Sequence, residues 1–212
     1  MSRTRISALP VLVSTLALLA LLAGCRINVD KDANGKDKRV QIDTPFGGIH
    51  VDTDKTTALD VGLPLYPGAQ LVNDDNHKSA DVHMGFGDWK LRVRAVSYTT
   101  PDSRDKVIAF YKKALGNYGN VIACQDDSPV GQPTATAEGL TCSEKNHANV
   151  HIDDKGESYG YHSGSGGFQL KAGSERHQHI VGFESAARGQ TRFSLVALDL
   201  PVNPDSHSGQ SD

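Results

Sequence analysis

Residues 80–95 constrain the fold more than any other stretch of this chain. Phe86-Gly87-Asp88-Trp89 puts glycine first in a two-residue loop, as a type II′ turn requires. A loop of that length sets Phe86 opposite Trp89, Met84 opposite Leu91, Val82 opposite Val93 and Ala80 opposite Ala95. Every one of these pairs is apolar, and all share one face. The other face pairs Asp81 with Arg94 and His83 with Arg92. Turn chemistry and hydrophobic register are independent signals, and they agree on one antiparallel hairpin.

More strands surround it. Val40-Gln-Ile-Asp and Ile49-His-Val-Asp alternate about the turn residues Thr44-Pro45-Phe46-Gly47-Gly48, which predicts a second hairpin. Asn120–Gln125, Gly139–Glu144, His147–Ile152, Phe168–Lys171, His177–Glu184 and Thr191–Leu200 also read as strands. Thr191–Leu200 is apolar on both faces, Phe193-Leu195-Ala197 and Val196-Leu198-Leu200, so it belongs in the middle of a sheet. One helix is expected. Ser103 is a suitable N-cap, and Val107, Phe110, Tyr111, Ala114, Leu115 and Tyr118 form a single apolar stripe. The stripe is expected to seat Phe110 and Tyr111 on the hairpin face built by Met84, Phe86, Trp89 and Leu91, as core and not as chemistry. With 21 Gly and 9 Pro the chain is neither a coiled coil nor a helical bundle. The expected fold is α+β, an antiparallel sheet built from hairpins with one principal amphipathic helix over residues 40–200; a β-sandwich is the alternative.

The N-terminus gives an address. Arg3 and Arg5 precede an apolar run from Ala8 to Ala23 that is short for a membrane span, so residues 1–24 read as a secretory signal peptide. Leu22-Ala23-Gly24-Cys25 resembles a bacterial lipobox. The resemblance implies a diacylglycerol on the Cys25 thiol, cleavage before Cys25 and an acylated, palmitate-type new N-terminus. The residue after the cysteine is Arg26, not the Asp that favours inner-membrane retention in similar Gram-negative lipoproteins. This points to the outer membrane, facing the periplasm. An ordinary signal peptide with a chance cysteine and a retained transmembrane anchor are the alternatives. Residues 25–39 are charged and read as a flexible tether, and residues 201–212 as a disordered tail.

Leu63-Pro-Leu-Tyr-Pro-Gly-Ala69 and the Asp102–Leu115 segment, with its Phe110-Tyr-Lys-Lys113 core, resemble a group of small, uncharacterised bacterial envelope proteins. The resemblance spans roughly Leu63–Cys124, and its motifs are structural; it carries over no catalytic residue.

Charge and cysteines narrow the function. Loss of Arg3 and Arg5 takes 22 Lys and Arg to 20, against 25 Asp and Glu, a net −5 for the mature chain. That balance disfavours nucleic acid as a partner. Cys124 and Cys142 remain once Cys25 is set aside. In an oxidising compartment a disulfide is the favoured reading, ahead of two free thiols or part of a metal site, since neither lies in a CxxC motif.

Other candidates weigh less. His177-x-His179 puts two imidazoles on one strand face, and His147 and His151 stand four apart, yet neither set has the further ligands that zinc needs. Asp30, Asp32, Asn34 and Gly35 match the opening of an EF-hand loop, but Asp37 and Gln41 stand where an apolar residue and the bidentate Glu belong. Ser163-Gly-Ser-Gly-Gly167 lacks both the P-loop ending and the nucleophile elbow, so Gly156–Gly167 is read as a loop. Lys90, Arg92 and Arg94 form a basic ladder able to meet an anionic polymer or lipid headgroups; an ordinary solvated face is the simpler reading. The expectation is a membrane-anchored envelope lipoprotein with a non-enzymatic binding or structural role, without a cofactor. Its partners would be the membrane, through the lipid, and an envelope protein or polymer. An envelope hydrolase or metal-dependent enzyme is the alternative.

Overall fold

The computed structural model describes residues 25–31, 37–53, 55–72, 79–143, 167–184 and 189–201. The expected signal peptide, the segment His147–Ile152, nearly all of the Gly/Ser loop and of the C-terminal tail lie outside these residues. The strands are β1 (Arg26–Lys31), β2 (Asp37–Thr44), β3 (Gly47–Thr53), β4 (Gln70–Leu71), β5 (Ser79–Phe86), β6 (Trp89–Thr100), β7 (Ile122–Gln125), β8 (Ser128–Pro129), β9 (Phe168–Gly173), β10 (His177–Phe183) and β11 (Thr191–Asp199). All join one antiparallel sheet, ordered β1-β2-β3-β5-β6-β11-β10-β9-β7-β8, with β4 on β6. The helix α1 spans Arg104–Leu115 and runs into a single 3₁₀ turn, Gly116–Tyr118. The molecule is sheet-dominated.

The β5–β6 hairpin has the register that its sequence dictates, from Ala80 opposite Ala95 to Phe86 opposite Trp89. Gly87 carries the positive φ, +59°, that the type II′ turn needs. β2 and β3 pair as the second hairpin. As expected from its apolar faces, β11 is central, paired along its length with β6 and β10.

The helix does not pack where its stripe was expected to. Val107, Tyr111 and Leu115, one per turn, are fully buried, but against Val96, Tyr98, Leu170, Val181, Phe193 and Leu195. These lie on the face opposite Met84, Phe86, Trp89 and Leu91. The cause lies in β6 and β11. One face of β6 is charged near the turn, at Arg92 and Arg94, and turns apolar only at Val96 and Tyr98, where it meets the Phe193–Leu195 face of β11. That junction is wide and apolar enough to take a helix. Phe86 and Trp89 stay exposed at the far end of the opposite face, 46% and 38%.

Two further expectations change. The stretch 25–39 is not a free tether in its first half, since Arg26–Lys31 pairs with β2, Ile27 opposite Ile42 and Val29 opposite Val40. Two alternating apolar residues suffice for a strand once β2 offers a matching edge, and the charges around them hid that alternation. Asp30 of the EF-hand-like stretch sits in this strand and pairs with Arg39 at 3.6 Å. Gly139–Glu144 is not a strand over its described residues. It is a turn-rich loop with isolated bridges, Ala135 to Thr141 and Gly139 to Ser174. Thr136 takes the bonds that a ladder would need: its N–H donates to the Leu140 carbonyl, its carbonyl accepts from the Gly139 N–H, and its hydroxyl accepts from the Leu140 N–H.

Candidate functional site

Among the described residues, three places bear on function. The first is the open, charged half of the α1 face, beside the helix. Arg92 Nε and Nη2 donate to the two carboxylate oxygens of Asp81, at 3.0 and 2.6 Å. Arg94 donates to the Asp60 carbonyl and to Asp199 Oδ2, the latter at 3.2 Å. Asp199 also meets His177 Nδ1 at 2.9 Å. Burial pushes the Asp199 carboxyl up, but His177 and Arg94 together outweigh it and hold the group below its ordinary value. The ladder Lys90, Arg92, Arg94 is therefore neutralised at two of its three positions by carboxylates from neighbouring strands, and Lys90 stands exposed.

His179 lies deeper. Its ring stacks on Tyr118 with centroids 3.6 Å apart, and its Nδ1 is buried with no hydrogen-bond partner among the described residues. Burial, reinforced by Arg94 and His177, lowers its proton affinity below the usual histidine range, against smaller opposing effects of Asp199 and a Val61 backbone hydrogen bond. His177 and His179 do share a face, as their spacing required. Among the described residues, no three His, Cys, Asp or Glu side chains gather in a way that could hold a metal ion. His147 and His151 lie outside those residues.

The second place is the disulfide. Cys124 on β7 and Cys142, 18 positions apart in the chain, are bridged, with Cα atoms 5.6 Å apart. With Ile122 and Leu140 they form a small buried cluster on the sheet face opposite α1. Closing a loop of that length stabilises the domain by about 3 kcal/mol in the chain-entropy model. Next to it opens a cavity of about 620 Å³, its lining including Asp127, Thr141, Ser143, Glu175, Gln178 and Leu200. Gln178 is buried, and its Nε2 donates to the Glu175 carbonyl at 3.0 Å. Thr141 Oγ1 donates to the Ser143 carbonyl at 2.9 Å. The lining sets the acidic residues Asp127 and Glu175 and the hydroxyl residues Thr134, Thr141 and Ser143 among the apolar Pro129, Leu140 and Leu200, so it suits a ligand with an apolar body and a few hydrogen-bond donors.

The third place is Cys25, exposed and unbridged, one residue ahead of β1. The sequence marked Cys25, Cys124, Cys142 and the basic ladder, but not the partners Asp60, Asp199 and Tyr118, nor the cavity. Those partners lie 22 to 105 positions from the residues they bind, beyond the reach of local patterns. Comparison with protein-family models, with curated proteins and with solved structures finds no match to this chain.

Proposed function

We propose that this chain is a lipid-anchored envelope protein with a non-enzymatic binding role, acylated at Cys25 after loss of residues 1–24. The observation that carries the reading is the division of its cysteines. Cys25, at the lipobox-like position, is free and exposed, while Cys124 and Cys142 are bridged. A bridged pair suits an oxidising envelope compartment, and a free thiol at the head of the folded chain suits a lipid donor. Arg26 at the following position favours the outer membrane, periplasmic side. The binding role rests on the open cavity beside Cys142, with the Asp127 and Glu175 side chains among its lining residues. We assign the domain to the α+β class on the ground that its one described helix builds the main core.

The test is metabolic labelling with a fatty acid in a Gram-negative host. Label enters the wild-type protein and is lost in Cys25→Ala, and membrane fractionation finds the labelled form in the outer membrane. Label persisting in Cys25→Ala rejects the anchor, and recovery with inner-membrane vesicles rejects the address.

A further inference from the structure

One end of the sheet gathers exposed apolar side chains beside Cys25. Thr44 pairs with Gly47, Gly47 with Phe86 and Phe86 with Trp89, so a single row of the sheet crosses β2, β3, β5 and β6 at the turn end. Arg26 pairs with Asp43, which brings Cys25 level with Thr44, at the β1 end of that same row. Strand spacing puts β1 about 19 Å from β6. The exposed Phe and Trp side chains among the described residues, Phe46 at 76%, Phe86 at 46% and Trp89 at 38%, all stand at this end, with Ile27 at 66%. Gly47 shapes the row. A Cβ there would overlap the Gly85 carbonyl oxygen and lie 2.7 Å from the Phe86 ring, so only glycine lets that ring lie across its neighbour. Lys90, exposed, is the next residue after Trp89.

The occupant of this surface follows from reach. β1 begins at the residue after Cys25, and one residue of chain spans at most about 3.6 Å. A lipid on Cys25 therefore holds this end of the sheet at the bilayer. Tryptophan and phenylalanine favour the headgroup boundary, and a neighbouring lysine can extend its ammonium to the phosphates. We infer that this end is a membrane-docking rim, in which Ile27, Phe46, Phe86 and Trp89 seat in the leaflet holding the Cys25 acyl chains. The rim fixes how the domain stands on the membrane, whereas the lipid fixes only that it stays there. The inference rests on the proposed acylation.

Trp89 is the single tryptophan of the chain, so its emission reports on the rim directly. Lipidated protein is reconstituted into phosphatidylethanolamine–phosphatidylglycerol vesicles. Its emission shifts to the blue, is quenched by lipids brominated near the glycerol end, and becomes shielded from acrylamide. Acrylamide access equal to that of the Cys25→Ser chain in solution overturns the rim. So does a blue shift that follows protein concentration without vesicles, which marks a second copy as the occupant. If fatty-acid labelling fails, the anchor falls, and the unlipidated chain titrated with the same vesicles decides the rim by itself. A blue shift on binding upholds it, and its absence overturns it. In that titration, Ile27→Ser with Phe46→Ser weakens partitioning about tenfold, the loss expected when two apolar side chains leave the interface. Both positions are exposed, so the fold tolerates the change, which circular dichroism verifies.

Discussion

Four tyrosine hydroxyls explain how the long connection between β3 and β4 is held to the core. Tyr98 accepts from the Ala58 N–H at 3.1 Å, Tyr111 donates to the Pro64 carbonyl at 3.2 Å, Tyr118 donates to the Gly62 carbonyl, and Tyr66 donates to the Asp102 carboxylate at 2.9 Å. The stripe pattern put Tyr111 in the core and gave its hydroxyl no partner. The structure gives it one at zero exposure, and burial raises the phenol's proton affinity further. Tyr111→Phe leaves the Pro64 carbonyl without its donor and is expected to lose about 1–3 kcal/mol. A denaturant midpoint equal to that of wild type would contradict this. His179 gives a pH dependence with a definite sign. Its proton affinity is lower folded than unfolded, so its contribution is complete above the ordinary histidine value of about 6.5 and declines as pH falls through that value. Asp102 and Asp199, whose affinities are also lowered, follow the same sign in more acid solution. Wild-type Tm should therefore fall between about pH 7.5 and about pH 5 more steeply than that of His179→Gln. Parallel curves would remove His179 as the cause.

At the scale of elements, α1 shows how far periodicity reaches. Its burial is sharpest along Val107, Tyr111 and Leu115, while Phe110 is half-buried against the Tyr66 ring, 5.1 Å away. Leu115→Ala should lose about 2–5 kcal/mol and Phe110→Ala less, because part of the Phe110 ring already meets water. Denaturant midpoints in the reverse order would place the helix axis wrongly. The β5–β6 hairpin was legible because its turn and its pairs are adjacent in the chain. The docking face of α1 was not, because β11 is apolar on both sides and pattern cannot choose between two good faces. β1 was hidden for a different reason, with Ile27 and Val29 standing among charges and revealed only by Ile42 and Val40 opposite. Of the candidate sites, the Cys124–Cys142 bridge was legible, because these two cysteines remain once Cys25 is set aside. The Arg94–Asp199–His177 network was not, since it joins three strands that only the fold brings together. The segments Leu63–Ala69 and Asp102–Leu115 pack on each other through Tyr66 and Asp102, Tyr66 and Phe110, and Tyr111 and Pro64.

Across the whole molecule, one continuous sheet hides an uneven distribution of burial. The main core is built by α1, the 58–66 connection and strands β6, β9, β10 and β11, and no residue of β1, β2 or β3 belongs to it. β1 is exposed throughout and β3 half-buried throughout, whereas β10 and β11 hold fully buried Val181, Phe193 and Leu195. Local opening costs little where few apolar contacts are lost, so the two halves of the sheet should open at different free energies. Backbone bonds alone do not offset this, because each contributes only about 1 kcal/mol net when water competes for it. Native-state hydrogen exchange on the unlipidated chain should show amides of β1–β3 exchanging through a low-energy opening, β5 and the turn end of β6 in between, and β10, β11 and α1 only with global unfolding. The β5–β6 hairpin marks the border because Val82 and Leu91 are buried on the face away from the helix, while Val96 and Tyr98 already belong to the core. Amides of β3 exchanging as slowly as those of β10 would show that the sheet opens as one unit, and that burial does not set its order of opening.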